Sequence, residues 1–187
     1  MDPLVVRVLS RRSPTIAWRC STCSRRSEFE NTEKFRANAN GKLIDVWLIY
    51  RCLRCGERKN LTVAERTPVS RLPARLLRAA QDNDPVLARS VGRDVALMRR
   101  NRVEVARGDD WRLPDPRTVP TRYGQVVVMQ FEEPLLVRLD QIVAAALGLG
   151  RGQMRALGAI EVTPSGRVDR LRLWTQALVR TPDGGAP

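Results

Sequence analysis

The sequence predicts an α+β fold in three successive parts: a β-rich N-terminal third, a helical middle section, and a small C-terminal helix-turn-helix followed by a β-hairpin. Three observations carry this. β-branched and aromatic residues are frequent in the first 67 positions, helical spacing of apolar residues starts at Leu72, and the cleanest amphipathic stripe lies in the last third. The expected boundaries are 1–67, 68–134 and 135–181. Residues 182–187 (PDGGAP) form a tail expected to be disordered.

In the first part, residues 4–9 (LVVRVL) and 16–19 (IAWR) read as short strands. Asn40-Gly41 is a hairpin signal, because both residue types accept positive φ. Residues 42–51 (KLIDVWLIYR) form the next strand, on which Trp47 and Tyr50 point to opposite faces. Residues 59–63 (KNLTV) return as another strand. In the middle part, Leu72, Leu76, Leu77 and Ala80 share a helical face, while Arg71, Arg75 and Arg78 line another. Asp84-Pro85 is an N-cap and first-turn pair for a second helix toward Arg100, which Gly92 interrupts. Residues 108–122 read as a linker, and residues 124–131 (GQVVVMQF) as a strand.

The third part opens with Leu139, Ile142, Val143, Ala146 and Leu147 at the spacing of a core-facing helix. A Gly-rich turn, Gly148 to Gly150, leads into a short helix from Arg151 to Leu157. Two strands follow, 159–162 and 168–174, joined by residues 163–166 (TPSG). No internal repeat is present.

Charge and composition narrow the functional classes. The chain has 187 residues, 33 basic against 20 acidic, and a formal charge of +13. Residues 1–78 hold 17 basic and 7 acidic side chains, 79–133 hold 9 of each, and 134–187 hold 7 and 4. A surplus of this size points to a polyanionic partner, above all nucleic acid. No run approaches the roughly 18 apolar residues of a membrane span, and Arg11-Arg12 come too early for a signal peptide. A cytoplasmic, reducing location is therefore expected. The chain contains no histidine, which removes the usual general base and every histidine-dependent nucleophile or metal set.

The four cysteines form two C-x-x-C pairs, Cys20/Cys23 and Cys52/Cys55. Together they make a closed tetrahedral set for one structural Zn²⁺, with no position left for water or substrate. Gly56 after Cys55 suits the tight turn such a pair needs, and Ser24 after Cys23 suits it less. The long gap between the pairs is consistent with a zinc ribbon whose strands are long. Dithiol redox chemistry is the lesser alternative, since that motif needs a single pair in a βαβ setting.

Residues 35–55 (FRANANGKLIDVWLIYRCLRC) resemble the bacterial family known as domain of unknown function 1062, whose members carry FR-x-NAN…DVWLIY-x-C-x-x-C. The resemblance continues through Arg66 and spans most of the chain; it implies no activity. A second stretch is similar to the alpha-L RNA-binding motif. It comprises Arg138-Leu139-Asp140 before the amphipathic helix, Gly150-Arg151 opening a short one, and Gly158 to Val162. By that similarity Arg138, Arg151 and Arg155 would meet RNA phosphates. The same residues would equally build a helical hairpin that packs Leu139, Ile142, Leu147 and Leu157 into a core.

Further candidate contacts are Arg25 and Arg26 beside the first cysteine pair, Arg51, Arg54, Arg58 and Lys59 beside the second, and the Arg71/Arg75/Arg78 stripe. The expected function is a non-enzymatic zinc-ribbon RNA-binding protein associated with the ribosome or another structured RNA. A zinc-ribbon DNA-binding regulator is the alternative. No small-molecule substrate or membrane is indicated.

Overall fold

The computed structural model describes residues 4–114, 126–150, 153, 161–164 and 172–180. In chain order the elements are β1 (Leu4–Arg12), β2 (Thr15–Cys20), β3 (Arg25–Asn40), β4 (Leu43–Cys52), β5 (Arg58–Pro68), α1 (Ala74–Asp82), α2 (Pro85–Val91), α3 (Val95–Arg100), β6 (Glu104–Arg107), β7 (Asp110–Arg112), β8 (Val126–Val137), α4 (Leu139–Ala146), β9 (Glu161–Thr163) and β10 (Arg172–Arg180). The protein is mostly β, with two five-stranded sheets and four short helices among the described residues. This corrects the expected α+β arrangement of a helical middle section and a C-terminal helix-turn-helix module. Two compact units result, Ser13–Gly108 and Met1–Arg12 with Asp109–Pro187.

The Ser13–Gly108 unit is an antiparallel sheet in the order β5-β4-β3-β2-β6. β4 sets its two faces. Ile44, Val46, Leu48, Tyr50 and Cys52 alternate into the core, while Asp45, Trp47 and Ile49 are half-buried and Arg51 is exposed. Trp47 and Tyr50 do lie on opposite faces, and the Arg36 guanidinium sits 5.8 Å from the Trp47 ring centroid. On the buried face Ile16, Phe29, Phe35, Leu48, Tyr50 and Leu61 pack with Ala79, Ala88, Leu97 and Met98 of the helices. Each large apolar side chain so buried contributes about 1.5–3 kcal/mol.

β3 is the strand that periodicity misses. It is 16 residues long and mostly polar, with only Phe29 and Phe35 buried. Asn31 pairs with Tyr50 and Phe35 with Leu48, so Thr32, Glu33 and Lys34 together oppose Ile49. This bulge is fastened from both sides. Thr32 donates its hydroxyl to the Ile49 carbonyl at 2.8 Å, and the Glu33 N–H donates to Asn31 Oδ1 at 2.8 Å. Asn31 Nδ2 donates to the Ala88 carbonyl, the Phe35 N–H donates to Asn83 Oδ1, and Arg89 pairs with Glu33. The bulge thereby docks α1 and α2 onto the sheet.

The helix signals hold in part. Asp84 caps α2 by accepting from the N–H groups of Val86 and Leu87, and the helix ends at Gly92, so the expected second helix is two short ones. Arg71 lies in a 3₁₀ turn, Val69–Arg71, ahead of α1, so the three-arginine stripe is not a single helix face. The hairpin turn is Gly41-Lys42, with Asn40 already paired to Leu43 and Gly41 at φ +61°. The outer edge of β5 is blunted at Thr62, whose N–H and carbonyl both bond the Asn101 side chain.

The second unit has the order β7-β1-β8-β10-β9, with β1 parallel to β8 and the other pairs antiparallel. A parallel pair needs a long crossover, and the one here includes the whole Ser13–Gly108 unit. The first strand of the chain thus belongs to this sheet and not to the cysteine-bearing one. Asp110–Arg112, within the expected linker, pair with β1 as its edge strand. The helix stripe is found as expected: Leu139, Ile142, Val143, Ala146 and Leu147 are buried, in one core with Val8, Val127, Met129, Trp174 and Val179. The module expected at 135–181 is overturned by β10, which pairs along β8 and sets Leu178 opposite Thr163. The expected helix from Arg151 to Leu157, apart from Gln153, and the expected tail at 182–187 lie outside the described residues.

Gly92 is where the helices approach the bulge most closely. A Cβ there would lie 2.5 Å from Asn31 Nδ2 and 3.2 Å from the Tyr50 hydroxyl. Asn31 is held at both ends of its amide, so it has little freedom to yield. Gly92→Ala is expected to destabilise the protein by about 1–3 kcal/mol, as overpacking does, and urea denaturation would measure this.

Candidate metal centre

The two cysteine pairs begin at the last residues of β2 and β4, Cys20 and Cys52, and end in the connections that follow, at the same end of one antiparallel sheet. Each pair ends in a left-handed residue directly after its second cysteine: Ser24 at φ +54° and Gly56 at φ +79°. Serine adopts the conformation that glycine takes more readily, so the two turns share one geometry despite their different sequences. The Cys23 N–H donates to Cys20 Sγ at 3.3 Å, and the Cys52 sulfur accepts from the backbone N–H groups of Arg54 and Cys55.

All four Sγ atoms lie within 4.8 Å of one another, and those of Cys20 and Cys55 are 3.4 Å apart. A tetrahedral ion with metal–sulfur bonds of about 2.3 Å needs sulfurs about 3.8 Å apart, and the observed spacing brackets that value. The four cysteines can therefore hold one metal ion. All four thiols are free, with Cys20 and Cys52 buried, Cys23 half-buried and Cys55 exposed.

The turns also tune the thiols. Burial pushes Cys20 up to about 11, and its hydrogen bond to Glu57 adds to the shift. Burial acts on Cys52 in the same direction, but the backbone donors of Cys55 and Arg54 and the neighbouring thiols outweigh it and bring Cys52 down to about 7. Cys52 is thus the thiol most ready to ionise and meet a cation.

Glu57 is the residue that spacing does not reveal. Its carboxylate accepts from the Cys20 thiol at 2.7 Å, the Thr22 N–H at 3.0 Å and the Ser21 hydroxyl, while its carbonyl accepts from the Cys52 N–H at 2.8 Å. These donors hold the carboxyl down to about 2, the Cys20 thiol being the largest cause. One residue of the second turn therefore ties the first turn in place. When Cys20 ionises to bind metal its S–H donor is lost and the thiolate repels the carboxylate, which leaves the Thr22 and Ser21 bonds to hold the tie. The only hint in the sequence is an acid two positions past Cys55.

The predicted basic contacts divide into two groups. Arg25, Arg54, Arg58, Arg71, Arg75 and Arg78 are exposed and make no ion pair among the described residues. Arg26 pairs with Glu104 at 2.6 Å. Lys59 donates to the Arg19 carbonyl and lies 5.2 Å from the Trp18 ring centroid, so it serves the fold around the first cysteine turn. Arg138 pairs with Asp140 at 2.6 Å, at the start of α4. Arg151 and Arg155 lie outside the described residues.

Fold and site together define a mostly β protein with a four-cysteine candidate metal centre. The family model described as protein of unknown function (DUF1062) matches residues 37–164, more than half of the chain, and the chain belongs to that family. The match includes Cys52 and Cys55 and begins after Cys20 and Cys23. No curated protein and no solved structure matches the chain. No helix among the described residues is long and apolar enough to cross a membrane.

Cobalt(II) added to reduced, metal-free protein is expected to give thiolate-to-cobalt charge-transfer absorption at one ion per chain, and Cys52→Ser is expected to lose it. Glu57→Ala is expected to keep the stoichiometry but weaken metal binding by about 10–100-fold, the usual effect of removing a group that orients ligands. Competition against a chelator would measure this.

Proposed function

We propose that this is a non-enzymatic zinc protein that binds nucleic acid, structured RNA first, through the basic surface of the Ser13–Gly108 unit. Zn²⁺ suits four thiolates held in tetrahedral reach, and a set with no open position favours a structural role over catalysis. Bound there, the ion would cross-link the β2–β3 and β4–β5 connections, and its binding energy would add to folding. The free thiols fit a reducing compartment such as the cytoplasm.

The observation that carries the nucleic-acid reading is the set of exposed arginines beside the cysteine turns, Arg25, Arg54 and Arg58, which have no ion-pair partner among the described residues. They belong to a unit with 20 basic and 10 acidic side chains. Cations without an acidic partner remain available to phosphates, and each phosphate they neutralise releases counterions. Arg71, Arg75 and Arg78 extend the same supply of exposed charge.

Fluorescence anisotropy of the zinc-loaded protein with a structured RNA and with a DNA duplex of equal length, each at two salt concentrations, tests this. The expected result is tighter binding to the RNA. In the Arg25→Ser/Arg54→Ser double variant, binding should weaken and the slope of log K against log salt should fall by about one to two. Preference for the duplex would make the protein a DNA binder. Absence of binding to both at low salt would overturn the reading.

A further inference from the structure

The β3 bulge leaves a cavity of about 390 Å³ between Thr32, Glu33 and Lys34 on one side and Arg51 and Arg58 on the other. Its size falls in the range of small-ligand pockets. Arg51 and Arg58 are directly opposite each other on β4 and β5, and like charges so placed destabilise a sheet. Glu30, opposite Arg51 on β3, offsets only part of this. It takes Nε and Nη2 of Arg51 through a single oxygen, Oε1. Arg51 Nη1, all of the Arg58 guanidinium and Lys34 have no hydrogen bond or ion pair among the described residues. The second acid at the cavity, Glu33, is turned to Arg89 at 3.1 Å. Both acids are thus engaged, and three cationic groups converge on the space with donors to spare.

We propose that this cavity is a phosphate-binding pocket, in which Arg51 and Arg58 clamp the group and Lys34 closes the rim. Guanidinium groups match phosphate oxygens in paired hydrogen bonds, and Glu30 fixes the direction of the Arg51 fork. A bound dianion or diester relieves the repulsion across β4 and β5. The phosphate belongs either to a small molecule or to a polynucleotide backbone. In the second case the pocket rests on the nucleic-acid reading, and in the first it is independent of it.

The test is a titration of the zinc-loaded full chain with inorganic phosphate, then with adenosine monophosphate and a single-stranded oligonucleotide. It is followed by the NMR signals of the arginine Nε–H and lysine side chains. The expected result is saturable phosphate binding that shifts Arg51, Arg58 and Lys34. Affinity should fall about tenfold in Arg58→Ser and in Lys34→Ser, and stay unchanged in Arg100→Ser, an exposed residue at the end of α3. Loss of oligonucleotide affinity in Arg58→Ser assigns the phosphate to a polynucleotide. Retained oligonucleotide affinity with weakened adenosine monophosphate binding assigns it to a small molecule. Saturable phosphate binding by a protein that binds neither the structured RNA nor the DNA duplex sinks the nucleic-acid reading and leaves the pocket standing. Non-saturating shifts spread over all the exposed cations, or equal phosphate affinity in Arg58→Ser, overturn the pocket even where oligonucleotide binds.

Discussion

The register of β3 between β2 and β4 controls where the functional groups of the Ser13–Gly108 unit can lie. With Ile16 opposite Phe29 and Phe29 opposite Cys52, the three strands place both cysteine connections at one end of the sheet. A one-residue slip in an antiparallel ladder would turn every side chain to the other face. Cys52 would then leave the core, and the four sulfurs would no longer converge. The bulge at Thr32 to Lys34 lets a 16-residue polar strand keep Phe29 and Phe35 on the buried face while matching the shorter β4.

That one irregularity also links the sheet to its helices and to the candidate phosphate pocket. Asn31, Glu33 and Phe35 bond to Ala88, Arg89 and Asn83, so α1 and α2 rest on the displaced residues. The same displacement opens the space beside Arg51 and Arg58. Bulges commonly re-aim side chains near functional sites. Here the bulge serves packing on one face of the sheet and exposes charge on the other.

Metal chemistry and surface charge meet around the second cysteine turn. Glu57 faces the first turn and commits its carboxylate to Thr22, Ser21 and Cys20, while Arg54 and Arg58 on either side of it remain exposed. The acid is taken up by the fold and the bases are left outside. Cys52, drawn down by the backbone of its own turn, is the thiol best prepared for a cation. A metal ion there would hold in place the loop that carries these arginines.

Features that depend on near neighbours could be read along the chain. The cysteine spacing, the alternation along β4, the Asp84 cap and the stripe from Leu139 to Leu147 were all legible, because each arises from a strand, helix or turn period. Family membership was legible in residues 35–55 for the same reason of local pattern. Other features exist only once distant segments meet. β3 lacks strand periodicity and forms because β2 and β4 supply its ladder. β1 pairs with β8 across more than half the chain, and β10 joins that sheet where a separate helical module was expected. Glu57 became part of the cysteine centre, and Arg26 and Lys59 were drawn into internal contacts, through partners that no local pattern names. Strand pairing is set by cross-strand neighbours more than by intrinsic preference. Such neighbours, like most charge partners here, are distant in sequence, and a period read along the chain does not contain them.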